Sequence, residues 1–296
     1  VDHTVLAGVS AQGVPRVFTE SLEGAAVQIA SDGLTDVGRV RTNNEDSFRI
    51  LEALHLFVLS DGMGGQAHGE VASSMAVETI VNYCAEAKED SGITLSGAPG
   101  VHWAEKTKRL QSAVHLANSK IYQSAQKNPE QYGMGATLTA AWFDNGRLSI
   151  AHVGDSRAYL LRGGTLQQLT DDHSLVAEQV RRGIITPQQA EDSEIQSVLL
   201  RALGAHSQVE VDVDEVGIYP RDVLLLCSDG LTRMVTEPEI AGSLQAETDP
   251  TSAARKLIEL ANERGGTDNI TVIVARFQEE PRSWLSWLRR GSAKRE

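Results

Sequence analysis

Two segments of the chain share a design that suits a cation: Leu56-Phe57-Val58-Leu59-Ser60-Asp61-Gly62 and Val223-Leu224-Leu225-Leu226-Cys227-Ser228-Asp229-Gly230. In each, an unbroken apolar run, of the kind that forms a strand buried on both faces, ends in Ser-Asp-Gly. An ionised carboxylate at the mouth of a buried strand loses hydration, so Asp61 and Asp229 need a cation or contact with water. The glycines that follow suit a backbone that approaches a ligand closely and turns away. Three further acids stand at similar junctions: Asp46 after Asn43-Asn44-Glu45, Asp155 in Val153-Gly154-Asp155-Ser156, and Asp268 ahead of the apolar run 270–274. Hard oxygen donors without Cys or His at ligand spacing suit magnesium or manganese rather than zinc. Taken singly, each acid also reads as a cap or turn residue. A metal site requires that folding gather them.

The elements that must do the gathering are mostly strands. Residues 136–143 and 148–153 flank Asp144-Asn145-Gly146, and 159–161 and 165–169 flank Arg162-Gly163-Gly164, which predicts two hairpins in one antiparallel meander. Further strands are expected at 54–60, 209–216, 223–228 and 270–277. Val71, Ala72, Met75, Ala76, Thr79, Ile80, Tyr83 and Cys84 recur at helical spacing, as do Leu110, Ala113, Val114, Ala117 and Ile121. A third helix opens with Asp249 as cap and Pro250 in its first turn, and stops at Gly265-Gly266. Amphipathic helices beside many antiparallel strands indicate an α+β layered fold with helices outside the sheets.

Composition narrows the class. The 296 residues are 41% hydrophobic, ample for a core, and 27 basic against 40 acidic residues give a formal charge of −13, which disfavours a nucleic-acid-binding surface. Two cysteines, neither in a phosphate-cradling loop, support no disulfide framework, no thiolate zinc site and no cysteinyl-phosphate chemistry. No basic leader with an apolar stretch and no long apolar run is present, and a cytoplasmic, soluble protein is expected. Residues 1–26 read as a loosely ordered leader and 27–278 as the folded domain. Residues 279–296 form a basic tail with Trp284 and Trp287, read as a linker remnant in preference to a membrane or partner contact.

At this point the chain resembles the PPM family, the metal-dependent or type 2C serine/threonine protein phosphatases, in its bacterial branch. The stretches that carry the resemblance are 36–46 (Asp-Val-Gly-Arg-Val-Arg-Thr-Asn-Asn-Glu-Asp), Asp61-Gly62-Met63-Gly64-Gly65, Gly69-Glu70-Val71-Ala72-Ser73 and Gly135-Ala136-Thr137. Later come Gly154-Asp155-Ser156-Arg157, 170–175 (Thr-Asp-Asp-His-Ser-Leu), Ser228-Asp229-Gly230-Leu231 and Asp268-Asn269-Ile270-Thr271. They stand in the family's order across roughly residues 28 to 278. The resemblance implies a sandwich of two antiparallel β-sheets flanked by helices, and two divalent metals, Mn2+ or Mg2+, at one edge. It further implies that Asp61 bridges the metals, that the Gly62 carbonyl binds one of them, and that Asp229 and Asp268 complete the other's shell. Asp46, with Glu45 nearby, acts mainly through waters; Asp155 with Asp229 matches a third metal position, and Arg41 matches the arginine that grips the phosphate. A guanidinium fork suits two phosphate oxygens. The implied reaction is hydrolysis of phosphoserine and phosphothreonine in proteins by a water or hydroxide bridging the metals. Its implied partners are phosphoproteins and a Ser/Thr kinase whose action it reverses, with the enzyme a monomer.

The chain departs from the family pattern at three places. Met63 stands where many relatives carry a histidine proposed as general acid, so the leaving group's proton must come from metal-bound water or another group. His173 is a candidate by type but reads in preference as a turn histidine, and Arg233 falls where an acid is common. Residues 171–204 resemble the family's flap over the site, and also read as a helical insertion. Two rival functions remain open on sequence: a catalytically inactive phosphoprotein-binding relative, and a phosphatase of small metabolites. The retained acids Asp46, Asp61, Asp229 and Asp268 favour catalysis over the first.

Overall fold

The computed structural model describes residues 7–9, 15–17, 27–64, 68–86, 103–191, 193 and 195–279. The basic tail therefore lies outside the described residues except Glu279. Of the leader, only β1 (Ala7–Val9) and β2 (Pro15–Val17) are described, paired as an antiparallel ribbon.

Two antiparallel sheets face each other. One runs in the order β10 (Thr165–Gln168), β9 (Arg157–Arg162), β12 (Val223–Cys227), β13 (Ile270–Glu279), β3 (Val27–Asp36). The other runs β11 (Asp212–Gly217), β8 (Arg147–Val153), β7 (Leu138–Asp144), β5 (Leu56–Met63), β4 (Asp46–Leu51), with the short β6 (Gly135–Ala136) extending β5's pairing. This is the α+β sandwich expected from the sequence.

The apolar runs do what their lack of alternation implies. Phe57 and Leu59 of β5 pack with Leu224 and Leu226 of β12, Ile273 and Phe277 in the layer between the sheets. The alternate residues Leu56 and Val58 pack outward with α1 (His68–Ala85) and α2 (Glu105–Lys127). On the opposite outer face, Val223, Leu225 and Cys227 pack with α6 (Glu237–Ala246) and α7 (Pro250–Glu263). Each strand therefore faces two cores. The third predicted helix is α7: Asp249 caps it by accepting from Ser252 N at 2.9 Å, and Gly265 and Gly266 end it at positive φ.

Both predicted hairpins form, with Asn145-Gly146 and Gly163-Gly164 at positive φ. They do not make one meander. β8 and β9 lie in different sheets, and 154–156 crosses between them. Strands β3 and β4 and helix α6 carry weaker local signals and emerge only in the structure. Residues 171–204 contain α3 (Leu175–Arg181) and α4 (Pro187–Glu191), tied at their base by the bridge Ser174↔Leu199. No helix among the described residues is long and apolar enough to cross a membrane.

Candidate metal centre

The acids meet where the ends of β4 and β5 in one sheet adjoin the 227–230 and 268–271 corners of the other. Asp46 and Asp61 are register partners on adjacent strands. The buried Asp229 opens the short helix α5 (Asp229–Thr232), and Asp268 immediately precedes β13. The two Ser-Asp-Gly segments thus differ in structure: β5 continues through Asp61-Gly62-Met63, whereas the second segment turns into a helix. Their glycines serve packing between backbones. A Cβ on Gly62 would lie 2.1 Å from the Gly69 carbonyl oxygen of α1, and one on Gly230 2.0 Å from that of Asn269.

Hydroxyls and amides around the acids hold them in place. Asp46 Oδ2 accepts from Ser228 Oγ at 2.8 Å and from Thr271 Oγ1 at 2.6 Å, which joins the two sheets at the site. Asp61 N donates to Thr137 Oγ1 at 2.9 Å, and Thr137 N donates to Asp61 O at 2.8 Å. Asn269 ties down the loop that carries Arg41, Glu45 and Asp46. Its Nδ2 donates to Val37 O at 3.0 Å and to Asn43 O at 2.9 Å, while its Oδ1 accepts from Glu45 N at 2.8 Å. Ser228, Thr271 and Asn269 fall inside the motifs quoted above, yet nothing in their spacing reveals these roles, because every partner is remote in sequence.

Burial and mutual repulsion dominate the electrostatics. Burial raises Asp46 to about 7, against the hydrogen bonds from Thr271 and Ser228. It raises Asp155 to about 8, with the charges of Asp229 and Asp172 adding to the effect. Burial, then the charges of Asp46, Asp229, Asp155 and Asp268, hold Asp61 well above the carboxylate range. Asp229 is also raised by burial, with Arg233 opposing, and burial raises Glu45. These effects put Asp46, Asp155, Asp229 and Asp268 all within electrostatic reach of Asp61.

Arginines supply the only side-chain counter-charge in direct contact with these acids among the described residues. Arg41, half exposed at the rim, donates from Nη2 to Asp268 Oδ2 at 2.9 Å. Arg233 pairs with Asp229, and its Nη1 stands 3.8 Å from Asp268 Oδ2. Among the described residues, no three His, Cys, Asp or Glu side chains stand ready-arranged around an ion. The donor set nevertheless fits divalent cations: it offers carboxylate and carbonyl oxygens, and Asp46 Oδ1 and Asp229 Oδ1 are buried without a hydrogen-bond partner.

His173 does not face the acids as a free proton donor. It is buried, its Nδ1 accepts from Gly154 N at 3.1 Å, and its Nε2 lies 3.1 Å from Asp212 Oδ2, which assigns the proton to Nε2. Arg201 donates to Asp212 Oδ1 at 2.6 Å. His173 thereby links the 171–204 segment to the sheet crossing that carries Asp155.

One pH dependence follows directly. The folded protein keeps protons on Asp46 and Asp155 that the unfolded chain, titrating at about 4, has released. This stabilising contribution is complete below that value and is lost as pH rises through about 7 to 8. With chelator present, the thermal midpoint is expected to fall between about pH 5 and 8, and manganese should restore it at the upper end. A midpoint that is flat or rising in chelator would contradict the assigned burial of these acids.

Sequence comparison identifies the family. Residues 35–265 match the family described as Protein phosphatase 2C. The chain belongs to that family. This type 2C phosphatase is 40% identical over 243 residues to the serine/threonine phosphatase Stp of Listeria welshimeri, covering 81% of the chain and 92% of that protein. It is 40% identical over 241 residues to the serine/threonine protein phosphatase PstP of Mycobacterium tuberculosis, covering 81% of the chain and 43% of that longer protein. Its fold superposes with a TM-score of 0.74 on the crystal structure of the PstP catalytic domain in complex with two manganese ions, at 37% identity, covering 86% of this chain and all of that one. The type 2C assignment makes the protein a phosphatase, and the sandwich described above is the family's fold.

Proposed function

We propose that this type 2C phosphatase hydrolyses phosphoserine and phosphothreonine in proteins, with two divalent cations, manganese or magnesium, held at the acid cluster. The observation that carries the reading is the convergence of Asp46, Asp61, Asp229 and Asp268 from separate segments, with two buried carboxylate oxygens unpartnered and an exposed arginine at the rim. In this reading Asp61, the Gly62 carbonyl, Asp229 and Asp268 hold the pair, Asp46 and Glu45 order surrounding water, and Asp155 with Asp229 offers a third position. Cations bound there would supply an activated water nucleophile between them.

The chain's own residues do the rest. Ser228 and Thr271 fix one oxygen of Asp46 and leave the other directed into the cluster. Arg41 is exposed enough to exchange Asp268 for a phosphate, which its fork can bind through two oxygens. Met63 carries no titratable proton, so the leaving group's proton comes from elsewhere. The two free cysteines are buried, and burial pushes each thiol up to about 12, so neither serves as a nucleophile at neutral pH. Unpaired cysteines also support a reducing cytoplasm. The partner of such an activity is a Ser/Thr kinase whose products it consumes, and we infer a monomer.

The test is phosphate release from a phosphothreonine peptide and from a sugar phosphate, in manganese and then in EDTA. Manganese-dependent release that favours the peptide is expected. Activity that survives EDTA would remove the metal reading, and faster turnover of the sugar phosphate would transfer the protein to metabolite chemistry. No hydrolysis of either, with retained binding of the phosphopeptide, would mark an inactive relative.

A further inference from the structure

The cluster is electrostatically lopsided. On one side, among the described residues, the Asp46 carboxylate is held by the hydroxyls of Ser228 and Thr271 and no cationic side chain contacts it or Asp61. On the other, Arg233 follows α5 so closely that its guanidinium folds back on Asp229, four residues earlier. The same guanidinium reaches toward Asp268 at 3.8 Å, where Arg41 already sits at 2.9 Å on the same oxygen. Arg233 also acts by charge on Asp155. A side chain that is only 24% exposed and wedged between these acids is placed to do more than decorate a surface.

We propose that Arg233 is a resident counter-cation of the Asp229–Asp268 half of the centre, which a divalent ion must displace from Asp229, so that the two halves load with unequal affinity. The inference rests on the metal reading given above. A guanidinium on Asp229 occupies the carboxylate that an ion would use and repels that ion at short range, while it makes no ion pair with Asp46 or Asp61 among the described residues. Its benefit lies in the fold: a carboxylate as buried as Asp229 keeps its charge at lower cost with a cation beside it. Once displaced, the guanidinium stays within one side chain's length of Asp229, because Leu231 and Val235 on either side of Arg233 pack into the outer core and fix its backbone. The positive charge therefore stays near the second ion and keeps its affinity low.

The experiment is calorimetric titration of manganese into this chain and into Arg233→Gln and Arg233→Asp, with affinities taken by chelator competition so that variants can be handled with metal present. Wild type is expected to show a tighter and a weaker class of site. In Arg233→Gln the weaker class should tighten roughly tenfold, the effect of removing one unit charge several ångströms from a dication, and in Arg233→Asp it should tighten further. The tight class should change less than the weak one, since Arg233 pairs with Asp229 and reaches Asp268 but contacts neither Asp46 nor Asp61 among the described residues. In chelator the thermal midpoint of Arg233→Gln should lie below wild type, and saturating manganese should close the gap. A weaker class that is unchanged or further weakened in both variants would overturn the proposal while leaving the metal site standing. Failure of wild type to bind manganese at all would overturn the site and the proposal together.

Discussion

Asp229→Ala is expected to abolish metal-dependent hydrolysis of an aryl phosphate, with a loss on the order of a thousandfold, the factor that about 4 kcal/mol of charge stabilisation implies. Asp229, like Asp61, interacts with every other acid of the cluster. It hydrogen-bonds with Asp61, feels the charge of Asp268, raises Asp155, and pairs with Arg233. Its free oxygen, Oδ1, is buried without a partner, so alanine removes a donor that nothing nearby replaces. The fold should survive, because losing one of several mutually repelling carboxylates offsets the loss of Arg233's partner, and Arg233 still has Asp268 within reach. Circular dichroism unchanged with activity lost is the expected pair of results. Retention of more than a few per cent of manganese-dependent activity would rule out Asp229 as a ligand.

Gly62→Ala should be among the most damaging small substitutions for stability. The added methyl would lie 2.1 Å from the Gly69 carbonyl oxygen and 2.6 Å from that of Glu45. Both are backbone atoms that no rotamer change can move, so α1 must separate from β5 or the 45–46 segment must shift. Either displacement opens a core in which Ala72 and Ala76 pack against Leu56 and Val58. A loss of about 3 kcal/mol or more is expected, lowering the thermal midpoint by roughly 10 °C for a domain of this size. Gly242→Ala is the control: it lies in α6 with nothing within 4 Å of its added Cβ, and helix propensity predicts a neutral or slightly stabilising change. Equal midpoints for the two variants would show that the close approach at Gly62 is not tight.

Much of the site was legible as residue types. Asp61, Asp155, Asp229 and Asp268 stand out because an acid at the edge of an apolar run is costly unless something compensates it, and Asp46 stands out by its place in the family motif. Their supports were not legible. Asn269 bonds three backbone groups of the 37–45 loop, and Thr137 bonds both sides of the Asp61 peptide, yet each is an ordinary turn or strand residue by local pattern. His173 looked like a turn residue with a proton to offer. Its burial between Gly154 and Asp212 makes it a brace, which depends on a flap segment and a strand edge that only folding brings together.

The sequence by itself determined the elements whose cause is local. Apolar runs without alternation became strands with a core on each face, Asn145-Gly146 became a tight hairpin, and Asp249 with Gly265-Gly266 bounded α7. Period, turn conformation and capping act over a few residues, so spacing alone reveals them. The tertiary structure decided that the two hairpins belong to different sheets, that one Ser-Asp-Gly stays in a strand while the other starts a helix, and that Arg233 lies on Asp229. It also decided which hydroxyls hold Asp46, at separations of 182 and 225 residues. Such contacts are chosen by the packing of two sheets against a shared core, and no local pattern carries that information.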